Sequence, residues 1–156
     1  CPSARRNKHA RSLLNPSMPA PMSAAEAFAA IALAAVACDG SVTPAEAAQL
    51  RGALEGRHPY RERSEEGMAL LFEGLLDALH AGGWSELIRR AIPALNAPQR
   101  ETALALAAHL IHSDRDVRPE EHNLLTALAV QVDLPAGRAD EIIAAITVLH
   151  RDSLAP

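Results

Sequence analysis

A chain of 156 residues, 49% hydrophobic and 3% aromatic, fits one domain and can bury a core built mainly from Ala, Leu, Ile and Val. The formal net charge of -4 hides an asymmetry: Arg5, Arg6, Lys8 and Arg11 precede Met22 with no acid among them, and without those four the body holds 11 basic against 19 acidic residues, a net of -8. That balance argues against nucleic acid and for cations or basic partners, and the scarcity of aromatic residues leaves no platform for stacking bases.

Residues 1–22 carry Pro2, Pro16, Pro19 and Pro21 among basic and small residues, with no sustained hydrophobic period. They read as a disordered arm. Ser23 with Glu26 has the spacing of a capping box, and Phe28, Ile31, Ala32, Ala35 and Val36 then recur at helical spacing. Asp39-Gly40 ends this helix, because glycine accepts positive φ. Thr43-Pro44-Ala45-Glu46 restarts the chain with a second capping box and Pro at the first helical position, and Leu50 and Leu54 face inward.

After a polar connection over 56–63, Ser64 caps a third helix striped by Leu71, Leu75, Leu76 and Leu79, which Gly82-Gly83 stops. A short fourth helix runs from Trp84 to near Pro93. Asn96 opens a fifth, with Ala103, Leu104, Ala107, Leu110 and Ile111 on one face; a sixth carries Leu124, Leu125 and Leu128; a seventh, from about Arg138 or Asp140, carries Ile142, Ile143, Ile146 and Leu149. No stretch alternates with period two. The expected fold is therefore all-α, a single-domain bundle of about seven helices over residues 23–151 with a short tail at 152–156.

One stretch is written twice at a constant offset of 75: Asp39/Asp114, Val42/Val117, Pro44/Pro119, Glu46/Glu121 and Leu50/Leu125. Each copy reads as helix, acidic loop and Pro-led helix, an internal two-fold repeat whose halves pack together. Val42 and Val117, the β-branched apolar residues of these loops, are expected to be buried and to pin the loops to the core.

Each loop resembles the second half of a calcium-binding EF-hand loop, with the earlier carboxylates replaced by Ala35 and Ala37, or by Leu110 and His112. One loop offers too few oxygens. Two loops brought together pool Asp39, Glu46, Asp114, Asp116 and Glu121 as ligands for calcium or magnesium, with zinc less favoured. Against this, Asp39 and Asp114 can cap their loops, Glu46 can close its own capping box, and Arg115 and Arg118 can neutralise the cluster from within. His109, His112 and His122 form a second candidate cluster, for zinc. No catalytic triad, phosphate-binding glycine loop or cysteine nucleophile signature is present, so no catalytic residue, no organic cofactor and no enzymatic activity are expected. Cys1 and Cys38, without metal-type spacing, suit a reducing compartment, and the apolar run from Ala27 to Cys38 is too short to span a bilayer.

The Ala-rich helix followed by Cys38-Asp39-Gly40-Ser41-Val42-Thr43-Pro44-Ala45-Glu46, the second copy Asp114-Arg115-Asp116-Val117-Arg118-Pro119-Glu120-Glu121 and the closing Leu134-Pro135 before Ile142-Ile143 resemble the TerB-like tellurite-resistance family. The resemblance covers Ser23 to Arg151. It implies a seven-helix, two-fold-repeated bundle with an acidic, metal-associated surface, and it is similar to the N-terminal domain of membrane-anchored DnaJ-like co-chaperones. The function it implies is a cytoplasmic stress-response module that binds a divalent cation between its loops and docks to protein partners, including partners at the inner membrane. The alternative is a structural interaction domain without metal.

Overall fold

The computed structural model describes residues 21–113 and 117–156, and among these there are helices and connections but no strand. The described residues form six helices, α1 (Ala24–Val36), α2 (Pro44–Glu55), α3 (Glu65–Ala91), α4 (Ala97–His112), α5 (Pro119–Gln131) and α6 (Arg138–Leu149), with single 3-10 turns at Tyr60–Glu62 and Ile92–Ala94. The break read from the sequence at Gly82-Gly83 is present inside α3, where two helical segments follow one another directly across a kink. Gly83 itself leaves the helical region (φ 79, ψ 171) and kinks the span. Of the arm expected over 1–22, only Pro21 and Met22 are described, and Met22 packs against the core; the rest lies outside the described residues.

The starts of the helices follow from their capping residues. Ser23 Oγ accepts from Glu26 N–H and Glu26 Oε1 accepts from Ser23 N–H, both at 3.1 Å; Thr43 with Glu46 and Asn96 with Gln99 repeat this reciprocal pair. Each pair satisfies two backbone donors that a helix start leaves open. Gly40 (φ 88) turns the chain after α1, as its lack of a Cβ permits.

The core is centred on α1. Ala27 and every residue from Ala29 to Ala37 are buried, so this helix is enclosed on all sides, as a helix apolar around its whole circumference must be. Its widest contacts are with α3 and α4, and α2 and α5 also touch it. The facing residues include Leu71, Leu75, Leu79, Leu104, Ile111, Leu124 and Leu128. Large side chains on the partners fill against alanines on α1, which keeps the helices close at native packing density. Tyr60, unremarkable in the sequence, is 2% exposed and donates its hydroxyl to the Ala25 carbonyl. Burial pushes its phenol up to about 12. No helix among the described residues is long and apolar enough to cross a membrane.

The helix–loop–helix units at the 75-residue offset meet different surroundings. Val42 is half-buried against the core, whereas Val117 is 39% exposed. The expectation that Val117 pins its loop is therefore corrected. At the second loop the buried anchor is Glu121, 4% exposed, which Arg118 supports, and Val117 stays on the outer side of the chain entering α5.

Because α1 is walled on every side, added volume there has nowhere to go. Ala30→Leu is expected to lower unfolding free energy by about 1–3 kcal/mol through overpacking. Ala48→Leu, on the exposed side of α2, is expected to stay within about 0.5 kcal/mol. Urea denaturation of the two variants checks both values.

Candidate functional site

The turn leaving α1 and the residues that open α5 meet at one end of the bundle, and among the described residues the Arg118 side chain joins them. Arg118 Nη1 stands 3.7 Å from Asp39 Oδ2, and Arg118 Nε stands 3.3 Å from Glu121 Oε1. The same Glu121 oxygen accepts from Arg118 N–H at 3.0 Å. Arginine has no side-chain acceptor with which to complete a reciprocal cap. It contributes a cation instead, and that cation offsets the burial of the Glu121 carboxylate. The guanidinium is held more firmly in its charged form by Glu121 first, and then by Asp39.

The rest of the first loop is fixed from within. Asp39 Oδ1 accepts from Ser41 N–H at 3.0 Å and from Ser41 Oγ at 3.2 Å, the arrangement by which an Asp side chain closes a turn. Glu46 Oε1 accepts from Thr43 N–H at 3.0 Å. His80 Nε2 lies 3.2 Å from the Gly40 carbonyl oxygen and ties α3 to the turn. Cys38, buried beside the junction, has its thiol pushed up by desolvation and then by the Glu121 charge, so it stays a neutral thiol in a close-packed place.

Of the five carboxylates pooled from the sequence, Asp39 and Glu121 are brought together, with Arg118 between them. Glu46 is occupied at the start of its own helix. Asp114 and Asp116, with Arg115, lie outside the described residues. Among the described residues no group of three or more His, Cys, Asp or Glu is placed to hold a metal ion.

A family model for tellurite resistance protein TerB matches residues 25–144, which takes in both loops, all of α2 to α5, all but the first residue of α1 and the first half of α6. The chain belongs to the TerB family. Neither a curated protein nor a solved structure shows a significant match to it. In this TerB-family chain the matched span contains every residue of the Asp39–Arg118–Glu121 junction and stops before His150.

The histidine cluster of this TerB-family chain differs from the one expected. His122, exposed on the first turn of α5, does not join His109 and His112; His150 does. His109 Nδ1 and His150 Nε2 are 2.8 Å apart, one donating and the other accepting, and the His112 ring stacks 6.1 Å from that of His150. The geometry follows from α6 running alongside α4 in the same direction. Arg138 pairs with Glu101 near the starts of the two helices, and His150 meets His109 near their ends. The sequence did hold a signal: His150 continues the Ile142–Ile146 stripe at a spacing of four.

His109 and His112 both titrate below the ordinary 6.5, first because of burial and then because of His150; Arg57 adds to the lowering at His109, and Glu121 opposes it at His112. Histidines that bind protons more weakly when folded let the unfolded chain gain protons first on acidification. Their contribution to stability is thus complete above about pH 6.5 and is lost as pH falls through the lowered values. Urea midpoints are expected to be level from about pH 8 to 7 and to fall between about pH 6.5 and 5. The double variant His109→Gln, His112→Gln should flatten this fall. An equally steep decline in the variant would assign it to other groups.

Proposed function

We propose that this TerB-family chain is a non-enzymatic stress-response module that works by docking a basic protein partner on its acidic body, with the junction of the two loops as the fixed element of that surface. The observation that supports this reading is Arg118, which supplies from within the chain the counter-charge that Asp39 and Glu121 require. Asp39 is held by Ser41 and Glu121 by the Arg118 backbone and side chain, and side chains already fixed in place lose little entropy on binding. An acidic body also attracts a cationic partner from a distance.

The divalent-cation reading has its own support. Asp39, Glu46, Asp114, Asp116 and Glu121 are oxygen donors of the kind that calcium or magnesium prefers over the thiolate and imidazole ligands that suit zinc. The Arg118–Asp39 separation of 3.7 Å is long, and the two side chains are 49% and 40% exposed. Such a pair contributes little to stability. A cation able to outcompete Arg118 for Asp39 and Glu121 would then occupy the guanidinium's place.

Calorimetric titration with calcium and magnesium separates the two readings. If Arg118 is the resident counter-charge, the wild-type chain takes up neither ion at millimolar concentration, while Arg118→Gln acquires weak binding that Asp39→Asn removes. Saturable binding to the wild-type chain, lost in the pair Asp39→Asn, Asp114→Asn with helicity retained, would establish the cation reading. Binding of a folded-state ligand would also raise the melting temperature with metal concentration.

A further inference from the structure

A concavity lies where the first turns of α1 and α4 meet the connection after α2. It is a half-open cleft of about 450 Å³, within the range of small-molecule sites. Its wall is apolar and aromatic: the Phe28 and Tyr60 rings lie 6.3 Å apart at 33°, with Leu95 and Pro98 beside them. Tyr60 has committed its hydroxyl to the Ala25 carbonyl and is buried, so it backs the wall while the half-buried Phe28 ring gives the cleft its aromatic surface.

The charge of the lining is one-sided. Arg57 and His58 line the cleft, and no carboxylate does. His58 Nδ1 is engaged by Glu62 Oε1 at 3.1 Å, which leaves Arg57 as the uncompensated charge. Arg51, Arg61, Arg89, Arg118 and Arg138 each stand within ion-pair distance of a carboxylate. Arg57 forms no such pair among the described residues; its guanidinium carbon lies 5.9 Å from the centre of the Phe28 ring. A guanidinium that rests over an aromatic face still has its N–H fork in plane, free to meet a carboxylate at two points. In a body with a strong acidic excess, a concavity lined only by positive charge selects anions.

We propose that this cleft binds a small carboxylate with a flat apolar body, the body against the Phe28–Tyr60 wall and the carboxylate on Arg57. The proposal is independent of the loop junction and of what occupies it.

The test is an amide-resolved NMR titration of the full chain with 2-naphthoate and with its neutral counterpart, 2-naphthalenemethanol. Shifts at Phe28, Tyr60, Gln99 and Thr102 are expected with both, and naphthoate should bind about tenfold more tightly, a difference typical of one charged contact. Arg57→Gln, a change at an exposed side chain, should bring the acid down to the affinity of the alcohol and leave the alcohol unchanged. Absence of shifts at these residues at millimolar naphthoate would overturn the proposal. So would a preference for the acid that survives in Arg57→Gln, or contacts showing that residues 1–20 of the chain already fill the cleft.

Discussion

The enclosure of α1 is the constraint on which the rest of the structure depends. A helix whose residues from Ala29 to Ala37 are all buried cannot sit on a surface, so other helices have to surround it. α2, α3, α4 and α5 do so. Alanine is what makes this workable: it has the highest helix propensity and loses no side-chain entropy on burial, and its small size lets the neighbouring Leu and Ile side chains reach the axis. The arrangement places both ends of α1 at fixed points. At the N-terminal end, Ala25 receives the Tyr60 hydroxyl; at the C-terminal end, Cys38 and Asp39 are delivered to the start of α5.

That delivery creates the loop junction. α2 and α5 both begin with Pro, and each needs acceptors for its free N–H groups. Thr43 and Glu46 meet this need reciprocally at α2. At α5 the capping position is Arg118, so only Glu121 can accept, and the arginine side chain is left to balance the charge. Glu121 can be buried because its partner is three residues away in the chain and holds the charge in place. Asp39 enters from the other loop as a second, looser partner. Sequence equivalence at an offset of 75 thus coexists with a difference in charge chemistry.

Much of this was legible in the sequence. The caps at Ser23, Thr43, Ser64 and Asn96, the turn at Gly40, the break at Gly82-Gly83 and the leucine stripes are local patterns, and local hydrogen bonding and periodicity determine them. What local pattern does not carry is which side chains meet across elements. Tyr60 lies in a polar connection, and only the position of Ala25 makes it a core residue. Val117 looks like an anchor as the apolar residue of its loop, but Glu121 and Arg118 hold that place. His150 joins His109 because α6 is laid along α4, and His122, nearer in sequence, points elsewhere. The candidate junction was legible as an accumulation of carboxylates with arginines of the same motif able to neutralise it; which carboxylates Arg118 meets, Asp39 and Glu121, depended on how the loops approach.

The central claim is that the two loops of this TerB-family chain are joined by Arg118. A crystal structure grown in millimolar calcium tests it most directly. The account predicts the Arg118 guanidinium between Asp39 and Glu121 with calcium in the solvent. A calcium ion bound by those two carboxylates, with Arg118 turned out to solvent, would contradict it.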